Sequence, residues 1–422
     1  MCVRVLFSEG SSLTAREFVS VLGPTGHHIE VLDPNPACLC RFSRWVRCVH
    51  RCPDPGTDPL GYLDAINALL AKRAFDVLLP THEQAWLFAG AGPRLDPAVH
   101  VAVSALEAFS RVQSKIEFAR LLDDMRLPQP RWGLVESIEE LARWEPPYYL
   151  KTPFSTAGTG VRRVADTGKA HDAFLALRAG AGEGPLMVQA AVPGEYAQVQ
   201  ALFDHGRLVA AHESVQTAVG VGPSAAGRVS VRHPFARREV ADLGGRLAWH
   251  GGLTLDYLFG GGQHVDIECN PRTVEPANAA ASGVNLPELQ LEVSLGRHPA
   301  EAPPGRTGVR THSALAILLG AAAYRGARTA ILTEAFRLAL HRGPYRQSRE
   351  RLTPFLYDVP SAIPLAVVGA RVMLDPRAAQ RLANAAVNSY SMTPDAIQRA
   401  TAGPMRDASC SVLGSSCEPP SA

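Results

Sequence analysis

The sequence predicts an α/β (α+β) protein with a parallel α/β domain at the amino end, a mixed domain after it and a helical extension at the carboxyl end. Three observations carry that expectation. Short apolar runs alternate with helix-period stretches over residues 1–105, the pattern of a parallel sheet covered by helices. Two alternating strands joined by three glycines, LDYLFGGGQHVDIECNPR, occupy residues 255–272 and read as a hairpin. Past Pro303-Pro304-Gly305, residues 310–400 are mainly helical and rich in arginine. At about 150 residues per domain, 422 residues make roughly three units.

In the first unit, VRVLF (residues 3–7) reads as a strand and SSLTAREFVSVLG (11–23) as a helix with a Ser/Thr start. HIEVLD (28–33), FDVLLP (75–80) and HVAVSA (100–105) read as further strands. The first strand-to-helix turn, SEGSSLTA, lacks the GxGxxG that close approach to a pyrophosphate needs, so no dinucleotide site is expected there. Residues 106–144 read as helical with a break at LPQP. Strand, loop and strand follow in YYLKTPFSTAGTGVRRVAD (148–166), then a helix (171–180) and a strand (185–192). Two long strands lie around the turn in QVQALFDHGRLVAAHESV (198–215). The expected units are 1–105, 106–302 with a lid at about 146–188, 303–401, and a disordered tail over 402–422.

Composition excludes several classes. A net charge of +2 gives no electrostatic case for a nucleic-acid or membrane-surface protein. The longest apolar run, Ser313 to Tyr324, is shorter than the ~20 residues a membrane span needs, and MCVRVLFSEG is no secretory signal. A cytoplasmic protein is expected. Eight cysteines at this length do not suggest a secreted disulfide framework. Cys38, Cys40, Cys48, His50 and Cys52 cluster and offer zinc ligands, but the Cys-x-Cys pair is tighter than the usual knuckle. Ordinary semi-buried thiols are the plainer expectation.

Of the 42 Lys plus Arg residues only four are lysine. Where arginine replaces lysine so widely, a surviving lysine points modestly to a site that needs a compact ammonium. Lys115 and Lys151 gain weight because other features converge on them. Lys151 ends a strand before the loop TPFSTAGTG, whose backbone N–H groups and hydroxyls can close over phosphates. In the hairpin, Glu268 and Asn270 are two apart and share a face, and folding brings Asp256 opposite them. Two carboxylates and an amide oxygen form a hard-oxygen set suited to Mg²⁺, with Arg272 nearby for phosphate. A solvated outer sheet face is the plain alternative for the same residues.

Taken together, these elements resemble the ATP-grasp superfamily over roughly residues 1–300. The resemblance rests on the order of an α/β domain, SKIEFARLLDDMRLPQP, YYLKTPFSTAGTG, MVQAAVPGEY and LDYL followed by DIECNPR. It implies that Lys115 and Lys151 contact ATP phosphates and that Ser155, Thr156, Gly158, Thr159 and Gly160 form a closing lid. It further implies an adenine-reading hinge from Gln189 through Ala190 to Val192, and Glu195 on the ribose. Asp256, Glu268 and Asn270 would bind two magnesium ions, while Arg272 and Lys151 act on the transferring phosphoryl group. Gln189 departs from the usual hinge glutamate.

The activity implied is ADP-forming ligation: ATP phosphorylates a carboxylate and an amine displaces the phosphate, with both acid and amine small molecules. Bicarbonate as the activated acid, as in carboxylases and carbamoyl-phosphate enzymes, is a second reading. A nucleotide-binding protein without catalysis is a third, opposed by the intact Asp256, Glu268, Asn270 and Arg272 set. Homodimerisation is consistent with the family. Arg228, Arg232 and His233 are candidates for a substrate carboxylate, and Glu275 and Asn278 for the acceptor. His82 and Glu83 follow a strand's carboxyl end, where open sheets bind ligands, with Thr81 as a helix cap in the plainer reading. The basic and apolar stretches of 310–400 read as a buried helix with a solvated face, or as a partner or lipid contact.

Overall fold

A computed structural model describes residues 2–181, 184–222, 224–351, 354 and 357–402. The tail expected to be disordered lies, from residue 403 on, outside the described residues.

The apolar runs of the first hundred residues form strands β1 (Arg4–Phe7), β2 (His28–Asp33), β3 (Val46–Arg51) and β4 (Val77–Leu79). They lie in the order β3-β2-β1-β4, all parallel. Helices Leu13–Leu22 and Pro59–Lys72 connect them, each opened by a side-chain cap: Ser12 accepts from the Ala15 N–H and Asp58 from the Gly61 N–H. Strand β3 was not anticipated, because its arginines interrupt the apolar alternation at a sheet edge. The strand expected at 100–105 shrinks to one bridge between Val77 and His100. The chain leaves the sheet there because Ala102 is buried against Leu202 and Val209 of the next domain.

Residues 106–144 are not helical throughout. After helices Leu106–Gln113 and Lys115–Met125, residues Trp132–Val135 form strand β5. It joins β6 (Tyr148–Lys151), β7 (Val161–Val164) and β8 (Leu186–Ala190) in an antiparallel sheet ordered β5-β8-β6-β7. Phe174 and Leu177 of helix Ala170–Ala181 pack on it with Val135, Leu150 and Val188. The unit expected as a lid from about 146 thus takes in a sheet that begins near residue 132. A four-residue strand behind a Pro-containing break is too short to show a period.

The central sheet has seven strands: β9 (Glu195–Asp204), β10 (Arg207–Val219), β11 (Ala225–Val231), β12 (Gly251–Gly260), β13 (Gln263–Asn270), β14 (Arg310–His312) and β15 (Ser348–Glu350). Their order is β13-β12-β9-β10-β11-β14-β15, antiparallel except for the last pair. Strands β14 and β15 lie in the stretch expected to be a separate helical unit, so the boundary at 303 cuts through this sheet. The remaining carboxyl-terminal region is helical as expected, with helices at 314–325, 328–339, 362–374, 378–388 and 394–402. The last of these buries Ala396, Ile397 and Ala400 in the core that contains Tyr62 and Leu87.

Cys38 and Cys40 are buried among Val31 and Phe18, and Cys52 lies in the core with Tyr62. Burial pushes all three thiols up, so they are neutral packing groups. Within the anticipated cluster, Cys48 Sγ lies 3.9 Å from His50 Nδ1, and His50 Nε2 lies 2.6 Å from Glu30.

Candidate active site

Alternation along β9 builds the floor of the site. Ala197, Val199, Ala201 and Phe203 face the core, and Gln198 and Gln200 face the other way. Register extends this polar row across the sheet: Gln198 opposes Asp256, Asp256 opposes Glu268, and Thr254 opposes Asn270. The three residues expected on one face of the hairpin do share it. Asn270 Nδ2 donates to Asp256 Oδ2 at 3.1 Å, and the nearby Tyr196 hydroxyl lowers the pKa of the same carboxylate. Gln198 and Tyr196 were not singled out in the sequence, although their alternation with alanine and valine was there to read.

Two ammonium groups bracket Glu268. Lys115 opens its helix and places Nζ 3.1 Å from Glu268 Oε1 and 3.1 Å from the Ser155 carbonyl. Lys151 ends β6 and donates to Gln189 Oε1 at 2.7 Å and toward the Ile267 carbonyl at 3.5 Å. Burial, and then Lys115, push the Lys151 ammonium down to about 8, against the pull of Glu268 and Asp256. Burial raises Glu268, but Lys115 and Lys151 outweigh it and hold the carboxyl below its ordinary value. Asp256 goes the other way: burial and the charge of Glu268 push it up to about 7.

The donor set fits a hard cation. Two carboxylates lie side by side, and Asp256 Oδ1 is buried without a hydrogen-bond partner among the described residues. Arg272 is similarly poised. Its Nη2 lies 3.4 Å from His82 Nε2, while its buried Nε has no partner among the described residues. Burial and the guanidinium hold His82 well below its ordinary value, so a neutral imidazole accepts from Arg272. The His82 ring packs against Tyr390, with centroids 3.9 Å apart and planes tilted by 34°.

No known family profile matches the sequence. Over 226 residues, 49% of this chain, it is 22% identical to the carbamoyl phosphate synthase large chain of Pyrococcus furiosus, and it covers 21% of that protein. It is 26% identical over 178 residues, 38% of this chain, to the acetyl-CoA carboxylase of Dictyostelium discoideum, of which it covers 8%. The chain thus spans about a fifth or less of the curated relatives it matches. Among solved structures it is similar to the biotin carboxylase domain of Hydrogenobacter thermophilus 2-oxoglutarate carboxylase, solved with MgADP, ADP and bicarbonate. That match has a TM-score of 0.59 at 14% identity and covers 74% of this chain and 73% of the other. It is also similar to the carboxyaminoimidazole ribonucleotide synthase of Aspergillus clavatus, solved with ATP, at TM-score 0.56 and 14% identity, over 74% of this chain and 82% of the other. The chain has the ATP-grasp fold.

Within this ATP-grasp fold the loop expected to form a lid is seated on the first domain. Thr156 is buried and its hydroxyl donates to Glu83 Oε1. Glu83 Oε2 in turn accepts from the Met392 N–H at 2.8 Å. Phe154 stacks on Trp86 at 5.3 Å. Gly160 is required by close approach, since a Cβ there would meet Thr152 Oγ1 at 2.0 Å and Ser155 Cβ at 2.6 Å. Gly158 takes a φ of 73°, which glycine adopts freely. Thr159 is exposed and donates to the Thr156 carbonyl at 2.8 Å, while the buried Ser155 hydroxyl has no partner among the described residues.

The segment expected to read adenine is hydrogen-bonded within the protein. Gln189 is buried and its side-chain oxygen accepts from the Lys151 ammonium. The N–H groups of Ala190 and Ala191 already donate to the Arg131 and Pro147 carbonyls, which leaves neither free to read a base. Val192 is half-buried beyond them, and Glu195 is exposed at the start of β9.

The substrate candidates separate into two groups. Arg228 is buried on β11 and its Nη2 lies 3.0 Å from Glu275, while its Nη1 has no partner among the described residues. Arg232 is exposed, and His233 lies 2.8 Å from the Tyr257 hydroxyl on the apolar side of the sheet, so neither joins the site. Asn278 is a buried structural amide, paired with His212 at 2.9 Å and donating to Thr311 at 2.8 Å.

Glu17, behind Glu275, carries a prediction about pH. Burial and the charge of Glu275 push it up to about 8 from an ordinary 4.5. The folded protein holds this proton at pH values where the unfolded chain has lost it. Its stabilisation is complete below about 4.5 and is lost as pH climbs toward 8. Glu17→Gln should therefore flatten the fall of melting temperature between pH 6 and 8 and raise it at pH 8. Melts at the two pH values check this, and an unchanged slope refutes it.

Proposed function

We propose that the protein is an ATP-dependent carboxylate–amine ligase that forms ADP and phosphate. The observation that carries this reading is the convergence of Lys115, Lys151, Asp256, Glu268, Asn270 and Arg272 beneath a seated Ser/Thr/Gly loop. Phosphoryl transfer asks mostly for positioning and charge neutralisation, and these residue types supply both. Lys115 and Lys151 would meet the nucleotide phosphates, exchanging their contacts with Glu268 and Gln189 for phosphate oxygens. Asp256, Glu268 and Asn270 would hold magnesium, two ions in the fullest form, whose charge offsets that of the phosphates. Arg272, with an uncommitted Nε, would steady the oxygens of the group in transfer and of the acyl phosphate.

The seated loop would keep water from that acyl phosphate until the amine attacks. The Thr156 hydroxyl is one of its fastenings, and a hydrogen bond of this kind is worth about 1 kcal/mol, or roughly fivefold in closed population. Thr156→Val should thus speed amide hydrogen exchange of residues 154–160 several-fold without lowering the melting temperature appreciably. Exchange at the wild-type rate would remove the latch from the account.

A second reading takes bicarbonate as the acid. It is favoured by the carboxylase and carbamoyl-phosphate activities named for the relatives, and by bicarbonate in the structure of one of them. One experiment separates the two: ADP and phosphate release with Mg²⁺ and ATP, against pooled carboxylic acids, amino acids or bicarbonate. Release that needs both an acid and an amine, with a dehydrated adduct by mass, supports the ligase. Release with bicarbonate alone supports the second reading.

A further inference from the structure

At the opposite end of the central sheet from Asp256, a second group of side chains converges that this chemistry does not use. Asp204 ends β9, and His205 and Gly206 make the turn into β10. His250 sits in the segment that feeds β12. One ligand atom from each of Asp204, His205 and His250 lies within 4.8 Å of the other two. The His205 and His250 rings stack with centroids 4.0 Å apart and planes 14° from parallel. His298 joins from a third segment, its Nδ1 2.6 Å from Asp204 Oδ2. Gln198 opposes Asp256 in register and is six residues from Asp204 along β9, so the two sites are separated by about 20 Å at ~3.3 Å per residue.

We propose that Asp204, His205 and His250, with His298 as a fourth ligand, form a binding site for one zinc-class divalent cation. Imidazole nitrogen with one carboxylate oxygen is a donor set that first-row cations take over magnesium or calcium. In a tetrahedral site with bonds of ~2.0–2.1 Å the ligand atoms lie about 3.4 Å apart, so the spacing of Asp204, His205 and His250 closes with side-chain adjustments on the order of 1 Å.

Two features favour a site over incidental crowding. His250 Nδ1 is buried and has no hydrogen-bond partner among the described residues, although it points toward Asp204 Oδ1 at 3.8 Å. The backbone beneath is pinned: the Gly206 N–H donates to the Trp249 carbonyl at 2.6 Å, the His250 N–H to Ser104 Oγ at 2.7 Å, and Arg207 to the Pro299 carbonyl at 3.0 Å. Arg207 Nη2 also contacts Asp204 Oδ2 at 2.9 Å, leaving Oδ1 to face the cation. A bound ion would tie the β9–β10 turn to the entry of β12, the strand that carries Asp256.

The test is calorimetric titration of Zn²⁺ into the chelator-treated full chain, with Co²⁺ absorption in the visible as a geometric probe. The expected result is one saturable ion at this site and a tetrahedral Co²⁺ spectrum. His205→Asn keeps a residue tolerant of the turn's left-handed φ of 48° and removes the imidazole. It should weaken binding at least about tenfold, as should His250→Asn. Asp256→Asn should leave this binding unchanged, which separates it from the catalytic reading. Absence of saturable binding, wild-type affinity in His205→Asn and His250→Asn, or loss of binding in His50→Ala instead would each overturn the proposal.

Discussion

Glu268→Gln should lower ATP turnover by about 10³-fold or more, with little change in melting temperature. The size follows from what the carboxylate touches. Its Oε1 is the counter-ion of Lys115 at 3.1 Å, and together with Asp256 it faces the place where a cation would sit. Glutamine has the same shape but no charge, so Lys115 and Lys151 lose the anion between them and the cation loses a ligand. Removing one preorganised electrostatic contact to a transition state costs about 10²–10³ in rate, and here two roles go at once. Stability is spared because Glu268 is only half-buried and its strand pairing is made by backbone. Glu107→Gln, on the exposed first turn of helix Leu106–Gln113, is the matched control and should change turnover less than tenfold. Steady-state rates and ATP affinities for the two variants check this. Turnover within tenfold of wild type in Glu268→Gln would sink the assignment of the hairpin as the reacting centre.

That hairpin was the most legible part of the sequence, for a physical reason. A period of two fixes which residues share a face, and a glycine turn fixes which strands pair, so Asp256, Glu268 and Asn270 could be placed together before any coordinates. The parallel sheet of the first domain was legible for a similar reason, since buried strands separated by helices leave a rhythm. Strand β5 left none, being four residues long behind LPQP, and the three-residue strands β14 and β15 left less. Gln189 illustrates a different limit. Its position on the strand was read correctly, but its partner depends on how the antiparallel sheet of β5 to β8 sets β6 beside β8. The pairing of His82 with Arg272 and its packing against Tyr390 join positions 82, 272 and 390. No local pattern encodes contacts at such separations; only the packed chain brings them together.

The strongest long-range tie gives the second large prediction. Asp358 is completely buried and accepts three hydrogen bonds from the first domain: Arg16 Nη2 at 2.7 Å, Ser43 Oγ at 2.6 Å and the Arg44 N–H at 2.7 Å. Arg16 is equally buried, with no exposed side-chain surface. Asp358→Ala would strand a guanidinium in the core, and breaking such a pair from one side costs about 3–5 kcal/mol. That is a large share of a typical domain's stability, and a fall in melting temperature on the order of 10 °C should follow. Replacing both partners, as in Arg16→Leu with Asp358→Leu, removes the stranded charge and should recover part of the loss, although Ser43 and Arg44 stay unpaired. A double variant less stable than Asp358→Ala would contradict this account. The consequence extends to the site, because the chain that follows Asp358 carries Tyr390 onto His82 and the Met392 N–H onto Glu83. If Asp358 anchors that region, its loss should loosen the ring contact behind Arg272 and the acceptor beneath Thr156 together. Turnover should then fall at temperatures where the protein is still folded, a drop that a purely global loss of stability would not produce.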